Sequence, residues 1–223
     1  VLEASSAQSN LVNLGKPQAT DLVSVSTISN DAPDVFSLGK TIVTWTVTDS
    51  SGNTANATQT VSIIDTTPPK IETPKDIEIE ATSSDKNTVS LVPPTASDSV
   101  SEITITNNAP NYLPLGETTI TWTATDEGGN SASATQKVTI VDTTAPELTV
   151  PSEITIDAIA LQTPITVGEG TATDLAGSPI TITNNAPFSF PLGETIVTWT
   201  AVDSFGNSNH ATQTINVQAC GKP

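Results

Sequence analysis

Acidic residues recur along this chain at nearly constant intervals, and carboxylates in such a pattern can bind a divalent cation. Two aspartates lie in linkers, others lie in loops and hairpins, and a pair of glutamates lies near the start of the repeated segments. The candidate metal ligands are Asp65 and Asp142, Asp98 and Asp174, Asp126 and Asp203, and Glu3 and Glu80. Because Ca²⁺ accepts roughly 6–8 oxygen ligands in loose geometry, calcium is the cofactor that this pattern favours.

A strand pattern centred on tryptophan is written three times and would position these acids. Trp45, Trp122 and Trp199 are separated by 77 residues in both intervals, which indicates an array of repeated units. In each copy apolar residues alternate with threonines, so one face of a strand is apolar and the other carries hydroxyls. An aspartate ends this strand, and a Gly-Asn pair follows it. Both residue types tolerate positive φ, so the pattern predicts a β-hairpin with the tryptophan at the centre of a small core.

The rest of the second copy contains short strands separated by turn residues. We predict a first strand over 70–73 and 76–81, kinked at Pro74, and further strands over 87–92 and 102–107. No window shows the helical period of about 3.6 residues. The sequence therefore predicts an all-β protein of three tandem immunoglobulin-like (fibronectin III-like) β-sandwich repeats of about 77 residues, arranged as a rod. The predicted repeats are 1–67, 68–144 and 145–219, followed by a tail at 220–223.

The charge balance bears on the class of partner. With 24 acidic and 7 basic residues, the chain has a formal net charge of −17. Phosphate backbones require a positive surface, so nucleic acid is not expected as a partner. An acidic surface attracts divalent cations, although it equally serves solvation in a salty or extracellular medium. No run of about 18 or more apolar residues occurs, so no membrane-spanning segment is expected.

The chain lacks the residues of the common catalytic and zinc sites. It has one histidine, His210, and one cysteine, Cys220, at positions that the other repeats do not share. Neither a catalytic triad nor a His-ligated zinc site can be built from one repeat, which predicts a non-enzymatic protein. A lone Cys220 excludes an internal disulfide and leaves a free thiol or a cross-link to another chain. Asn56 begins the one N-x-[ST] sequon, a glycosylation motif of low specificity.

Two linkers would bring the recurring acids together. The stretches 65–69 and 142–146 are short and contain proline, which restrains itself and the residue before it. In an immunoglobulin-like sandwich, the loop after the second strand and the last hairpin lie at the pole where the domain begins. The expected groups are Asp65 with Asp98 and Asp126, and Asp142 with Asp174 and Asp203, which Glu3 and Glu80 could join from the preceding repeat. The alternative is that each aspartate caps its own backbone or is only solvated.

Five short motifs recur in fixed order, and together they resemble a known family. They are DTTxP, E-A-T, P-T-A-x-D, PLG and T-A-T-D-x-x-G-N. This order is similar to that of the hyalin repeat (HYR) over essentially the whole chain. The resemblance implies immunoglobulin-like, non-enzymatic modules of extracellular or cell-surface proteins that take part in adhesion and matrix-like assemblies. The chain departs from animal members in lacking their pair of cysteines, which makes it look more like a bacterial or archaeal surface array.

The first copy starts late, because residues 2–4 align with 79–81 and the equivalent of 68–77 is absent. Either the sequence begins inside a longer array, which is the interpretation that we prefer, or a strand from another chain fills the exposed edge. Strand donation to repeat 1 would make the chain self-associate.

These observations predict a structural or adhesive array at the cell surface, such as a segment of a surface layer, filament or adhesin, stiffened by calcium at its junctions. Its expected partners are copies of itself or other surface and matrix proteins. The alternative is a carbohydrate- or ligand-binding spacer attached to a secreted enzyme. Binding of a glycan needs planar rings on the surface, for which Tyr112, Phe188 and Phe205 are the candidates.

Overall fold

The computed structural model describes residues 1–219, so Cys220 and the predicted tail 220–223 lie outside the described residues. Within residues 1–219 the structure contains β-strands and no helix, which confirms the all-β prediction. In the same residues no helix is long and apolar enough to pass through a lipid bilayer. Three four-stranded sheets, one in each repeat, form the framework.

Repeat 1 contains four strands and repeat 2 contains six. Repeat 1 contains β1 (Leu2–Glu3), β2 (Val25–Asn30), β3 (Gly39–Asp49) and β4 (Thr54–Ile64). Repeat 2 contains β5 (Lys70–Ile71), β6 (Ile77–Glu80), β7 (Ala96–Ser97), β8 (Ile103–Asn107), β9 (Gly116–Asp126) and β10 (Ser131–Val141). Their main sheets have the orders β1-β4-β3-β2 and β6-β10-β9-β8, and β5 pairs with β7.

Repeat 3 has the same plan with two additional short strands. It contains β11 (Glu147–Thr149), β12 (Ile154–Asp157), β13 (Gln162–Thr163), β14 (Thr171–Thr173), β15 (Thr181–Asn184), β16 (Phe190–Pro191), β17 (Gly193–Val202) and β18 (Ser208–Gln218). The main sheet has the order β12-β18-β17-β15, β11 pairs with β14, and β13 pairs with β16. In all three repeats the short second half of the first strand pairs in parallel with the last strand.

The hairpin centred on tryptophan has the predicted alternation. Along β9, Ile120, Trp122 and Ala124 are fully or almost fully buried, and the threonines between them are half-buried. The return strand brings a glutamine to each indole, and in repeat 2 Trp122 Nε1 donates to Gln136 Oε1 at 3.0 Å. Repeats 1 and 3 contain the same pair at 2.9 Å and 3.1 Å. This bond satisfies the one polar atom of a side chain that otherwise contributes apolar area to the core.

The hairpin turn differs from the prediction in the role of its asparagine. Gly129 has a φ of 86°, and no residue other than glycine has a positive φ among those that the structure describes. The glycine alone therefore provides the left-handed conformation of this turn, although asparagine also tolerates it. Asn130 instead binds the aspartate that ends the strand, because its N–H donates to Asp126 Oδ1 and its Nδ2 donates to Asp126 Oδ2, each at 2.8 Å.

The predicted strand over 87–92 is wrong, because only a single bridge forms there, between Asn87 and Leu113. The Asn87 side chain is 1% exposed and holds a loop in place through hydrogen bonds to two segments of the chain. Its Nδ2 donates to the Leu113 carbonyl oxygen at 3.0 Å, and its Oδ1 accepts the Thr82 N–H at 2.8 Å. Two prolines follow at 93–94 and cannot donate to a strand ladder.

The chain divides into two compact units, each of which contains one linker. The first unit consists of Val1–Lys75, Val92–Ala109 and Ile120–Gln136. The second consists of Asp76–Leu91, Pro110–Thr119 and the described chain from Lys137. Each linker and the acids expected around it therefore belong to the same unit.

Candidate metal centres at the repeat junctions

Each linker begins with an aspartate and is held in place by threonine side chains. In the second unit Glu80 accepts hydrogen bonds from Thr143 N at 2.9 Å, from Thr143 Oγ1 at 2.7 Å and from Thr144 Oγ1 at 2.8 Å. Glu3 makes the equivalent bonds to Thr66 and Thr67 in the first unit. The bonds from Thr143 are the main cause that lowers the pKa of Glu80 below its ordinary value. These two glutamates therefore fasten the linkers, and neither belongs to the groups of three carboxylates described below.

The loop aspartates are ordered by their own backbone. Asp98 Oδ1 accepts the N–H groups of Val100 at 2.7 Å and Ser101 at 2.9 Å. Asp174 Oδ1 accepts the Ala176 N–H at 2.7 Å. This local capping was the alternative role expected for the acids, and it uses one oxygen of each carboxylate.

The hairpin aspartates are buried but accept several hydrogen bonds. Asp203 is 6% exposed, and Asn207 donates to it from N at 2.9 Å and from Nδ2 at 2.8 Å. Burial opposes ionisation of Asp203, yet the bonds from Asn207 and the neighbouring backbone outweigh it, so the pKa lies below its ordinary value. The pKa of Asp126 is lowered for the same reasons, with Asn130 as the donor. Both carboxylates are thus held in the charged form that a cation requires.

The structure brings six of the eight candidate ligands into two groups of three. In each group one oxygen from each carboxylate lies within 4.8 Å of the others. The groups are Asp65, Asp98 and Asp126 in the first unit, and Asp142, Asp174 and Asp203 in the second. Asp126, Asp142 and Asp203 are each 6% exposed, and the other three are half-buried. A linker, a loop and a hairpin therefore converge at each junction.

The second junction contains a carboxylate oxygen that no group in residues 1–219 satisfies. Asp142 Oδ1 is buried and has no hydrogen-bond partner among the residues that the structure describes. Burial first, and then the charges of Asp174, Asp203 and Glu80, raise the pKa of Asp142 above its ordinary value. A buried, unpaired carboxylate oxygen beside two other acids is costly. A cation among the three carboxylates would remove both the repulsion and the missing bond.

The oxygen donors fit a hard cation. Each group contains only carboxylates, with no histidine or cysteine among its members. Half-buried serines lie next to the linker aspartates, since Ser101 Oγ donates to Asp65 Oδ2 at 2.7 Å and Ser178 Oγ donates to Asp142 Oδ2 at 3.4 Å. Calcium takes such oxygen sets, whereas zinc and copper prefer nitrogen or sulfur.

The sequence did not single out the asparagines as parts of these sites. Asn130 Nδ2 donates to the Asp65 carbonyl oxygen at 3.1 Å, and Asn207 Nδ2 donates to the Asp142 carbonyl oxygen at 3.0 Å. The recurring Gly-Asn pair was the available signal, but its asparagine was assigned to the turn. The side chain of this asparagine instead joins the hairpin to the linker by hydrogen bonding to both.

The remaining sequence candidates are not members of either group of three carboxylates. Asn56 is exposed on β4, and glycosylation there stays a prediction. His210 is exposed on β18 and lies 2.9 Å from Thr200 Oγ1 through its Nδ1. Tyr112, Phe188 and Phe205 are 53%, 93% and 54% exposed.

Fold and junctions together define a class of protein, namely a tandem array of β-sandwich repeats with acidic groups where one repeat follows another. The model of the HYR domain matches residues 5–63, 64–140 and 141–217. The chain belongs to the HYR family. The exact divisions after residues 67 and 144 stay predictions.

Two proteins of similar sequence are consistent with membership of the HYR family. Hyalin from Strongylocentrotus purpuratus is 38% identical over 221 residues, which cover 91% of this chain and 18% of that protein. Hyalin from Lytechinus variegatus is 36% identical over 228 residues, 93% of this chain and 42% of that protein. This chain thus spans less than half the length of either relative.

Solved structures of cadherin domains are also similar. Drosophila N-cadherin EC1-3 is 14% identical, with a TM-score of 0.38, and the match covers 99% of this chain and 97% of that chain. Human CDH23 EC21-23 is 18% identical, with a TM-score of 0.37, over 79% of this chain and 74% of that chain. These scores are too low to transfer an arrangement of domains or a site.

Proposed function

We propose that this chain is a non-enzymatic, structural or adhesive segment of an extracellular or cell-surface protein, and that calcium stiffens its repeat junctions. Membership of the HYR family and the identity to two hyalins support the adhesive role. Copies of the chain itself or other surface and matrix proteins are its partners in this proposal. Since a fold does not fix a function, the more specific part rests on the junctions.

The observation that carries the calcium site is the Asp142 carboxylate. The side chain is 6% exposed and lies among acids, and one of its oxygens has no hydrogen-bond partner within residues 1–219. Surface carboxylates that serve only solubility are exposed to water and do not require a partner. An unsatisfied oxygen on a member of a group of three carboxylates is what a bound Ca²⁺ would complete.

Calcium would stiffen a junction because its ligands come from separate parts of the chain. At the second junction Asp142 belongs to the linker, Asp174 follows β14, and Asp203 follows the hairpin strand β17. One ion bound to all three would tie the linker to the following repeat. Binding to the folded state alone also raises the apparent stability by mass action.

The test is calcium binding by titration calorimetry, combined with thermal unfolding in EDTA and in millimolar calcium. At about 100 times its dissociation constant, a ligand adds about 2.7 kcal/mol to stability. We expect Asp142→Asn to remove binding at the second junction. Glu169→Gln, a change at an exposed acid of the same repeat, is the matched control and should retain it. An unchanged midpoint in calcium for the parent chain would refute the site.

A carbohydrate- or ligand-binding spacer of a secreted enzyme is the second candidate. It is favoured by Phe188, which at 93% exposure presents an aromatic ring to solvent. Aromatic faces are common platforms for ligands. A glycan array would test it, and binding lost in Phe188→Ala but retained in Phe205→Ala would favour this function over the adhesive one.

A further inference from the structure

The two linker aspartates differ in how well protein groups satisfy them. At the first junction Asp65 Oδ2 accepts a hydrogen bond from Ser101 Oγ at 2.7 Å, and Asp65 Oδ1 accepts the Thr67 N–H at 3.2 Å. At the second junction Ser178 Oγ lies 3.4 Å from Asp142 Oδ2, and Asp142 Oδ1 has no partner within residues 1–219. Because hydroxyl-to-carboxylate bonds are normally about 2.5–3.0 Å long, the bond from Ser178 is weak. The side chain of the linker aspartate is therefore firmly bound only at the first junction.

The loop that supplies the second carboxylate of each group also differs between the junctions. Residues 98–101 form this loop at the first junction, and residues 174–178 form a loop that is one residue longer at the second. Asp98 accepts two N–H groups of its loop, whereas Asp174 accepts one side-chain hydrogen bond of this kind among the described residues. The longer loop includes Gly177, whose φ of 69° is left-handed. Glycine loses more conformational freedom than other residues when it is ordered, so the longer loop is more costly to hold in one conformation.

An apolar side chain of repeat 2 closes the first junction. Val100 is 7% exposed and packs in the buried cluster of repeat 1, all within the first unit; this cluster contains Phe36, Val61 and Ile63. The counterpart of Val100 at the second junction is Ala176, which is 2% exposed but has a smaller side chain to bury. Since the stabilisation by apolar burial grows with the area removed from water, the first junction gains more from this position than the second.

We propose that the two junctions respond differently to calcium: the first is ordered with or without the ion, whereas the second is ordered by it. At the first junction hydrogen bonds and the Val100 side chain already hold the linker and the loop in place. At the second junction a cation would supply the partner that Asp142 Oδ1 lacks and would offset the repulsion between Asp142 and the two other acids of its group. This difference rests on the proposed calcium function and specifies which junction the ion controls.

Calcium concentration would thus set the mobility of the second linker and change that of the first only slightly. A ligand shifts an equilibrium between an open and a closed state only as far as it binds one of them more tightly. The ion binds the closed state, in which one oxygen of each of the three carboxylates lies within 4.8 Å of the others. Without the ion, repulsion and the unsatisfied Asp142 Oδ1 favour the open state at the second junction. At the first junction protein groups already favour the closed state, so the ion has little left to shift.

The test measures amide hydrogen exchange of the whole chain by NMR, in EDTA and in millimolar calcium. Two matched reporters are available, because the N–H groups of Val100 and Ala176 each donate to the aspartate of their own loop at 2.7 Å. In EDTA we expect the Val100 N–H to be protected at least about tenfold more than the Ala176 N–H, each relative to its exchange rate in an unfolded chain. Calcium should raise the protection of Ala176 at least about tenfold and that of Val100 by less, so that the two values converge.

Val100→Ala should make the first junction resemble the second. We expect the protection of the Ser101 N–H in EDTA to fall at least about tenfold in this variant. Val43→Ala is the matched control, because it removes the same atoms from the core of repeat 1 at a buried position outside the loop. It should leave the Ser101 N–H protected, and an equal loss of protection in both variants would contradict the role of Val100.

Calorimetry on the same samples separates this proposal from the calcium function on which it rests. If calcium binds but Val100 and Ala176 are equally protected in EDTA, or calcium does not reduce the difference between them, the proposal is overturned and the calcium function stands. If no calcium binds, the calcium function is refuted and control of the second junction by calcium is refuted with it. Greater protection of Val100 in EDTA would then support only the order of the first junction without a cation.

Discussion

The side-chain amide of Asn207 donates a hydrogen bond to the backbone carbonyl oxygen of Asp142, 65 residues earlier in the chain, at 3.0 Å. The same nitrogen donates to Asp203 Oδ2 at 2.8 Å. One asparagine therefore joins the linker to the hairpin and orders two of the three acids of the second junction. In repeat 1 the equivalent Asn53 donates to Asp49 Oδ2 at 2.7 Å.

Replacing Asn207 with alanine should loosen the second junction. The change removes hydrogen bonds to the Asp142 carbonyl and to Asp203, so we expect a loss of about 1–3 kcal/mol in the free energy of unfolding. Calcium affinity at this junction should fall about tenfold. Asn53→Ala is the matched control, since it removes the bond to the aspartate where the chain contains no linker. Equal loss of calcium binding in both variants would contradict the role of Asn207.

Replacing Asp142 with asparagine should have opposite effects with and without calcium. In EDTA the variant should unfold at a higher temperature, because the change removes a buried charge that repels its neighbours. In calcium the parent chain should be the more stable of the two. Asp65→Asn is the control, because Asp65 Oδ1 accepts the Thr67 N–H at 3.2 Å, whereas Asp142 Oδ1 has no partner in the described chain. Thermal unfolding followed by circular dichroism measures both, and a lower midpoint for Asp142→Asn in EDTA would contradict the prediction.

The two junctions should lose calcium at different pH. The raised pKa of Asp142 means that its ionised form costs stability in the metal-free chain, and that cost disappears as the pH falls through the raised value. Calcium binds the ionised form of Asp142, so protons compete with calcium at the second junction over the same pH range. The lowered pKa of Asp126 gives no such competition until the pH is more acidic.

Single-junction variants allow this pH dependence to be measured. Asp65→Asn reports the second junction and Asp142→Asn reports the first, and calorimetric titrations from neutral to mildly acidic pH compare their affinities. We expect the affinity of the second junction to decline first. Parallel decline in the two variants would show that Asp142 does not control the pH response.

Replacing Glu80 with glutamine should free the second linker. Glutamine has one acceptor oxygen in place of two, so the bonds from Thr143 and Thr144 cannot all be retained. We expect faster hydrogen exchange at the Thr143 N–H and a lower unfolding temperature. Because these bonds lower the pKa of Glu80, the stability that they give the parent chain is present above the ordinary pKa and is lost as the pH falls through the lowered one.

Asp157→Asn provides the control for Glu80, because Asp157 occupies the same place on β12 as Glu80 on β6. It should leave exchange at Thr143 unchanged. Unchanged exchange at Thr143 in Glu80→Gln would show that the threonines are held by other groups.

The strands and the three repeats could be predicted from the sequence because both depend on patterns of residues along the chain. Strand alternation is a property of neighbouring residues, so the buried face of β9 with Trp122 at its centre could be predicted from the pattern. The 77-residue period then predicted three copies. It also led to the expectation that linker, loop and hairpin acids approach one another, since their positions within a sandwich follow from its topology.

Tertiary structure decided which atoms meet. A strand over 87–92 fits the local pattern, but the buried Asn87 binds Leu113, 26 residues away, and fixes a loop there. Glu80 and Asp142 are both acids near a linker, yet Glu80 accepts hydrogen bonds from threonines while Asp142 Oδ1 has no partner in the described chain. Hydrogen bonding and burial depend on contacts between residues far apart in sequence, which neither composition nor period contains. The sequence therefore determined most of the strands and the repeat. The tertiary structure determined which carboxylate oxygen lacks a hydrogen-bond donor in the described chain, namely Asp142 Oδ1.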